Sequence, residues 1–249
     1  MNRRDFLKLI AGLLPLTAVT KALENVENTE STEKSYVMVI DVNKCIGCGN
    51  CVVACKTEND VPLDIPISRT WIEGYSVDEE IPVSKSEVRK QVLSTSKNPF
   101  LDDDWIKNSK DSKTFYVPKL CNHCVNAPCV NVCPVYARFY TKEGIVLVDK
   151  ETCIGCKYCI VACPYGATFL HPEEEVTDKC TFCYHRIKRG LQPACVLACP
   201  TGARVFGDIN DENSEVSKLV REHRVSVLRP EEGTFPRVLY IGLDSYVVE

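Results

Sequence analysis

Sixteen cysteines, gathered into four short runs, constrain the fold of this 249-residue chain more than any other feature. The first run, CIGCGNCVVAC, has the spacing C-x2-C-x2-C-x3-C, and the third, CIGCKYCIVAC, repeats it. The second run has four residues between its middle pair of cysteines, and the fourth run has eleven. No cysteine lies outside the runs, which are Cys45, Cys48, Cys51 and Cys55 (run one); Cys121, Cys124, Cys129 and Cys133 (run two); Cys153, Cys156, Cys159 and Cys163 (run three); and Cys180, Cys183, Cys195 and Cys199 (run four).

Three kinds of site use clustered cysteines. Structural zinc sites take two widely separated C-x2-C hairpins and have no use for a further cysteine followed by proline. Disulfides suit an even number of cysteines in an exported protein, but cysteines two residues apart are badly placed to bond each other. The spacing C-x2-C-x2-C-x3-C-P is that of bacterial [4Fe–4S] ferredoxins. The runs therefore predict [4Fe–4S] clusters, with a disulfide- or zinc-stabilised secreted module as the alternative from a different class.

The residues between the cysteines fit this chemistry. Gly47 and Gly155 allow backbone conformations, and a close approach to a cluster, that a side chain would block. The fourth cysteine of a run lies about one helical turn after the third, and a proline then ends the short helix. Its thiolate faces away from its own loop and binds the cluster of a partner run. Lys56 replaces that proline in run one, which leaves the end of this helix undefined.

The order of the runs predicts how they pair. Runs two and three are close in sequence, and TKEGIVLVDKETC between them predicts a turn at Gly144, a strand at IVLV and a cluster loop. Runs one and four then form the other pair, and YVMVIDVNKC before run one repeats the order of strand and loop. Exchange of the fourth cysteine within each pair predicts four ligand sets, which are Cys45, Cys48, Cys51 and Cys199 (set 1); Cys121, Cys124, Cys129 and Cys163 (set 2); Cys153, Cys156, Cys159 and Cys133 (set 3); and Cys180, Cys183, Cys195 and Cys55 (set 4).

The N-terminal residues predict export. Arg3 and Arg4 begin RRDFLK, which resembles the twin-arginine consensus, and an apolar run from Leu9 to Val19 follows. A basic region followed by an apolar region of about 7–15 residues is the order of an export signal. The small residues that follow form imperfect cleavage sites, so cleavage and retention as an anchor both stay open. No later stretch approaches the ~20 apolar residues of a membrane helix, which predicts that the remainder is soluble or peripheral to a membrane.

Charge excludes one class of partner. Asp and Glu outnumber Lys and Arg by 34 to 30, and the first 22 residues hold more bases than acids, so the remainder is more acidic than the whole chain. A nucleic-acid partner requires a basic face, and we expect none. The sequence also contains no pattern of a catalytic base, nucleophile or open metal position. We therefore expect a non-catalytic chain with no small-molecule substrate of its own.

Residues 61–115 separate run one from run two. VPLDIPISRTWIEGYSVDEEIPV alternates apolar positions with prolines and predicts a hairpin-like insert, whereas the polar stretch after it predicts a long surface loop. Trp71 and Trp105 either anchor a partner or cover local core.

Two further features have an open role. The C-terminal VSVLRPEEGTFPRVLYIG predicts a turn around Pro230, Gly233 and Pro236, and then a short strand that either wraps the first domain or reaches a partner. His123, between two cysteines of run two, is interpreted as a surface residue in preference to a hydrogen-bonding residue near a cluster.

The four runs in this order, the eleven-residue gap of run four and the closing LRPEEGTFPRVLYI resemble the iron–sulfur electron-transfer subunits of the molybdopterin oxidoreductase (dimethyl sulfoxide reductase) superfamily. This family includes subunits of polysulfide, thiosulfate, tetrathionate and arsenate reductases. The resemblance covers residues 36–249. It implies an α+β fold of two bacterial ferredoxin-like domains related by a pseudo-twofold axis, with a long insert and a C-terminal extension. It also implies four [4Fe–4S] clusters, because all sixteen cysteines are present.

The resemblance further implies a function. Single electrons pass through the clusters between a quinol-interacting membrane subunit and a molybdopterin catalytic subunit, on the periplasmic side of the cytoplasmic membrane. Similar four-run subunits that serve a periplasmic nitrite reductase or a hydrogenase are the alternative. The expected divisions are a signal segment (1–23), a linker (24–35), a first ferredoxin domain in two parts (36–60 and 173–206), an insert (61–115), a second ferredoxin domain (116–172) and an extension (207–249).

Overall fold

The computed structural model describes residues 34–77, 88–93, 113–244 and 247. The predicted export signal, Trp105 and much of the polar part of the insert lie outside the described residues. The strands are Tyr36–Asp41 (β1), Thr70–Val77 (β2), Val88–Leu93 (β3), Lys113–Leu120 (β4), Arg138–Tyr140 (β5), Val146–Val148 (β6), Thr168–Leu170 (β7), Thr177–Lys179 (β8), Arg204–Asp208 (β9), Val225–Ser226 (β10) and Val238–Ile241 (β11). The α-helices are Asn50–Glu58 (α1), Pro128–Asn131 (α2), Tyr158–Val161 (α3), Tyr184–Ile187 (α4), Ala194–Leu197 (α5) and Glu215–Glu222 (α6).

A four-stranded sheet in the order β10-β11-β1-β9 supports runs one and four. β1 is parallel to β11 and antiparallel to β9. Met38 and Ile40 are buried in the main core, while Val37 and Val39 are buried in a second core that includes Val216 of α6. Both faces of β1 are covered, which explains why the strand is apolar along its length. The predicted C-terminal strand is confirmed as β11, and it pairs with the strand that precedes run one.

A three-stranded antiparallel sheet in the order β3-β2-β4 follows run one. β2 lies in the stretch predicted as a hairpin-like insert, but both strands that pair with it, β3 and β4, lie outside that stretch. The expectation of a surface loop is wrong for residues 88–93, because their backbone pairs with β2 from Ile72 to Val77. Charged residues in VRKQVL suggested a loop, but they are also typical of a strand at the edge of a sheet. Trp71 packs partly buried against the core, and its Nε1 donates to Glu73 at 2.9 Å.

Two short hairpins, β5–β6 and β7–β8, alternate with the cysteine runs. The strand predicted at IVLV is confirmed as β6, and Gly144 lies in the preceding turn with a φ of +77°. Helix α1 packs against α5, and α2 packs against α3. These contacts join run one to run four and run two to run three, which are the pairs that the sequence predicts.

Lys56 explains why α1 differs from the other run helices. In place of the helix-ending proline, it allows α1 to continue to Glu58. Its side chain is only 1% exposed, and its Nζ donates to the carbonyl oxygens of Pro62 at 2.9 Å and Ile65 at 2.6 Å. The lysine therefore fixes the loop that follows the helix.

In the part of the chain that the structure describes, no helix is both long enough and apolar enough to cross a membrane.

Candidate metal centres

The cysteines of runs two and three surround two cavities. Each cavity is lined by three cysteines of one run and the fourth cysteine of the other. The cysteines that line the first cavity are Cys121, Cys124, Cys129 and Cys163. The cysteines that line the second are Cys133, Cys153, Cys156 and Cys159. The structure thus brings the four members of set 2 together around one cavity and the four members of set 3 together around the other.

Runs one and four approach each other in the same crossed manner. Burial raises the pKa of Cys55, and the charges of Cys180, Cys195 and Cys183 raise it further. Burial raises the pKa of Cys45 to about 11, and the charges of Cys51 and Cys199 act in the same direction. Cys55 therefore faces the first three cysteines of run four, and Cys199 lies near the cysteines of run one.

This arrangement of donors fits a multinuclear cluster. All sixteen cysteines are free thiols, so none of them forms the disulfides of the alternative class. Among the described residues, no three His, Cys, Asp or Glu side chains come close enough together to hold a single metal ion. Four thiols spread around one space suit a [4Fe–4S] cluster, since each thiolate binds a different iron atom.

The two CIGC loops have the backbone conformation that the sequence predicts, and contacts with other parts of the protein also explain why glycine is required there. Gly47 and Gly155 have φ angles of +70° and +66°. A Cβ atom at Gly155 would lie 2.6 Å from the backbone oxygen of Glu175, and one at Gly47 would lie 2.9 Å from the ring of Tyr116. Both glycines therefore allow the close approach of another part of the protein as well as the left-handed turn.

Burial divides the four sets into two inner and two outer ones. All four cysteines of set 4 and three of set 2 are buried, whereas only Cys51 of set 1 and Cys159 of set 3 are buried. Burial raises the pKa of Cys124 to about 12 and that of Cys195 to about 11. At neutral pH these two thiols hold their protons until a metal ion replaces them.

The outer sets carry polar contacts to sulfur. Burial opposes ionisation of Cys153, but hydrogen bonds from Thr177 lower its pKa. Thr177 also lies 3.4 Å from the Sγ of Cys159. In set 1, the backbone N–H of Ala203 donates to Cys199 Sγ at 3.2 Å. The hydrogen bonds to Cys153 and Cys199 favour the thiolate form that iron binds.

Hydrogen bonds also reach the sulfur atoms of the inner sets. Backbone N–H groups donate to Cys180 Sγ at 3.3 Å, to Cys121 Sγ at 3.5 Å and to Cys163 Sγ at 3.4 Å. Asn59 Nδ2 donates to Cys55 Sγ at 3.6 Å and lies 3.9 Å from Cys183 Sγ. Hydrogen bonds to sulfur and burial are two of the factors that set the potential of an iron–sulfur cluster.

His123 is not the surface residue that its place in the sequence suggested. Its side chain is completely buried, and its ring stacks on Phe182 with the centroids 3.8 Å apart. Its Nδ1 accepts a hydrogen bond from the backbone N–H of Val146 at 3.1 Å. Burial, followed by the charges of Lys179 and Arg237, holds its pKa well below its usual value. The ring is neutral and fills space between runs two and four.

Two buried arginines were missed from the sequence, although a repeated motif marks them. CPVYAR begins at Cys133 and CPTGAR begins at Cys199, and each motif ends in an arginine that starts a strand. Burial raises the pKa of Cys45 in set 1 and of Cys195 in set 4, and the charge of Arg204 opposes that rise. Arg138 acts in the same way on thiols of sets 2 and 3.

The site and the fold together define a ferredoxin-type cluster-binding protein, and comparisons with known proteins agree. A family model described as a 4Fe-4S dicluster domain matches residues 112–209, and one described as a 4Fe-4S binding domain matches residues 36–57. The chain thus contains two ferredoxin-type regions in a mixed α/β fold.

Three relatives match most of the chain. A subunit of the tetrathionate reductase of Salmonella typhimurium is 39% identical over 99% of this chain and 90% of its own length. The iron–sulfur subunit of the arsenate respiratory reductase of Shewanella sp. strain ANA-3 is 36% identical over 82% of this chain and 94% of its own. Iron–sulfur subunit 1 of the Hdr-like menaquinol oxidoreductase of Archaeoglobus fulgidus is 36% identical over 98% of both chains.

The chain belongs to the family of iron–sulfur electron-transfer subunits of the molybdopterin oxidoreductase superfamily. Its cofactors are [4Fe–4S] clusters, and its function is electron transfer in respiratory oxidoreductases.

Proposed function

We propose that single electrons cross this chain through four clusters in the order set 1, set 4, set 2 and set 3. The observation that carries this proposal is the convergence of crossed cysteines: the fourth cysteine of each run lies beside the first three of its partner run. A [4Fe–4S] cluster bound to such a set accepts and releases one electron. Each run then supplies three ligands to one cluster and one ligand to another.

Contacts between the sets support the order. Arg204 acts on thiols of both set 1 and set 4. The charge of Cys121, in set 2, raises the pKa of Cys180, in set 4. Arg138 acts on thiols of both set 2 and set 3. The outer sets, 1 and 3, are also the more exposed ones, so an electron enters at one of them, crosses the two buried sets and leaves at the other.

A pseudo-twofold relation between two ferredoxin domains accounts for several paired features. His123 and Phe182 occupy equivalent places in runs two and four, and their rings stack on each other. Arg138 and Arg204 are equivalent in the same way. We assign one domain to residues 36–60 and 173–206 and the other to residues 116–172. We assign the insert (61–115) and the extension (207–249) to the first domain; the pairing of β11 with β1 supports this for the extension.

The partners follow from the family. We assign a molybdopterin catalytic subunit to one end of the cluster series and a quinol-interacting membrane subunit to the other, and the menaquinol oxidoreductase among the relatives supports the second. The chain itself then has no catalytic residue, and the substrate belongs to the catalytic subunit. With RRDFLK as a twin-arginine signal, residues 1–23 direct the folded chain to the periplasmic face of the membrane.

The test uses the complete complex, purified without oxygen. Chemical analysis of this chain should give about sixteen irons, as four [4Fe–4S] clusters require. Spin–spin coupling, measured by electron paramagnetic resonance during a reductive titration, should connect set 1 to set 4, set 4 to set 2 and set 2 to set 3. Zinc in place of iron would overturn the assignment of the sites, and a direct coupling between sets 1 and 3 would overturn the order.

A further inference from the structure

Arg138 and Arg204 are buried cations at equivalent places in the two pairs of cysteine runs. Each is only 2% exposed and follows the fourth cysteine of its run in the motif Cys-Pro-x-x-Ala-Arg. A charge taken out of water is costly unless a partner compensates for it, and the described residues around these two arginines place no carboxylate in hydrogen-bonding distance of either guanidinium. Their oxygen partners are neutral threonine hydroxyls, and Arg204 also contacts the thiol of Cys195.

These threonines hold the two guanidinium groups in similar ways. Arg204 Nη2 donates to Thr70 Oγ1 at 2.8 Å. Arg138 Nη2 donates to Thr177 Oγ1 at 3.1 Å, and its Nη1 lies 3.5 Å from Thr168 Oγ1. Thr168 lines the set 2 cavity, while Arg138 and Thr177 line the set 3 cavity. Arg138 therefore lies between two cavities that cysteines surround.

Among the described residues, three of the guanidinium nitrogens find no nitrogen or oxygen acceptor. The Nε of Arg138 and the Nε and Nη1 of Arg204 are buried without an acceptor. A buried donor without an acceptor is rare, because it loses its hydrogen bond to water and gains nothing in return. Donors beside cysteine-lined spaces indicate that the missing acceptors are sulfur atoms of a bound cluster or of its thiolate ligands.

We propose that Arg204 and Arg138 each place a fixed positive charge between two clusters and so act on the reduction potentials of both. Arg204 is shared by the clusters of sets 1 and 4, and Arg138 is shared by the clusters of sets 2 and 3. The inference rests on the proposed function, and it adds two residues that set the reduction potentials of the clusters along the path. Each electron adds negative charge to a cluster, so a nearby cation stabilises the reduced form and raises the reduction potential. Arginine suits this role because it does not lose its proton in proteins.

The sharing has a second consequence. An electron on one cluster of a pair repels an electron on the other, and a cation between the two attracts both electrons and so offsets part of that cost. One arginine per pair therefore raises the reduction potentials of both clusters of that pair. The two pairs are served separately, so the effects of the two arginines should also be separate.

The test compares four variants in the anaerobically purified complex. Arg204→Gln and Arg138→Gln remove the positive charge and keep a hydrogen-bonding side chain. Arg204→Lys keeps the positive charge but replaces the guanidinium group with an ammonium group. Arg186→Gln is the control, because the charge of Arg186 is already balanced by the carboxylate of Glu58 at 2.7 Å. The measurement is a redox titration of each cluster followed by electron paramagnetic resonance, together with the iron content.

We expect Arg204→Gln to shift the reduction equilibrium of the set 1 and set 4 clusters about tenfold towards the oxidised form, which is about 59 mV for a one-electron couple. The set 2 and set 3 clusters should keep their potentials, and Arg138→Gln should give the reverse pattern. Arg204→Lys and Arg186→Gln should both remain near the wild-type values.

Two results would overturn the inference: unchanged potentials in Arg204→Gln with all its iron retained, or equal shifts in Arg204→Lys and Arg204→Gln. If Arg204→Gln loses iron, retention of iron by Arg204→Lys supports the role of charge, and equal loss from both variants contradicts it. The proposed function fails by a different observation, namely the absence of four clusters from the unmodified complex.

Discussion

Replacement of Lys56 by methionine should release the loop that follows α1. Methionine fills much of the same volume, but it cannot donate to the carbonyl oxygens of Pro62 and Ile65, which accept from Lys56 Nζ at 2.9 and 2.6 Å. A hydrogen bond to a charged group contributes about 1.5–3 kcal/mol. Both carbonyl groups belong to half-buried residues that water can reach in part, so the combined loss should be about 2–4 kcal/mol.

Amide hydrogen exchange at Val61 measures this loss locally, because the Val61 N–H donates to the carbonyl of Lys56 at 3.0 Å. A loss of 2–4 kcal/mol corresponds to exchange about 30- to 700-fold faster, since about 1.4 kcal/mol is tenfold. Lys44→Met is the control, because Lys44 is half exposed and lies 3.6 Å from Asp41 in a surface ion pair that contributes little. An unchanged exchange rate at Val61 in Lys56→Met would refute the reasoning.

Two further predictions concern acid stability and the cluster loops. Burial opposes the charge of Glu73, but Lys119 outweighs it and lowers the pKa of Glu73 from 4.5 to about 2. Because the folded pKa is depressed, this stabilisation of about 3 kcal/mol is complete above pH 4.5 and is lost as the pH falls towards 2. The difference in amide protection of β4 between wild type and Glu73→Gln should therefore shrink over that range, and a constant difference would contradict the ion pair. Gly155→Ala should lose more iron than Gly47→Ala, because the Cβ at Gly155 meets the backbone of Glu175, whereas that at Gly47 meets a side chain that can turn. Equal iron contents would show that the clash has no effect.

The features predicted from the sequence are those that local pattern determines. The spacing of the cysteines indicated the kind of site, and short apolar runs beside a turn or a cluster loop indicated β1, β6 and β11. The pairing of the runs followed from their order, because the crossed ligand rule leaves few alternatives. Each of these inferences rests on residues that are close in sequence or on a repeated motif.

The features missed from the sequence depend on contacts between distant segments. His123 is buried because Phe182 lies against it, and no local pattern shows this contact. Residues 88–93 form a strand because β2 offers them a pairing edge. The two arginines are hydrogen-bonded to threonines of other strands, so their burial is visible only in the fold, although the motif Cys-Pro-x-x-Ala-Arg repeats in the sequence.

The most direct test of the crossed arrangement is cluster-resolved electron paramagnetic resonance of the Cys55→Ala variant, with Cys51→Ala as its matched control. Cys55 and Cys51 are neighbours on α1, but we assign them to set 4 and set 1. The Cys55→Ala variant should lose or alter the cluster of Cys180, Cys183 and Cys195 and keep that of run one, and Cys51→Ala should do the opposite. Loss of the run-one cluster from Cys55→Ala, with the set 4 cluster intact, would contradict the crossed ligand sets and with them the proposed path of the electron.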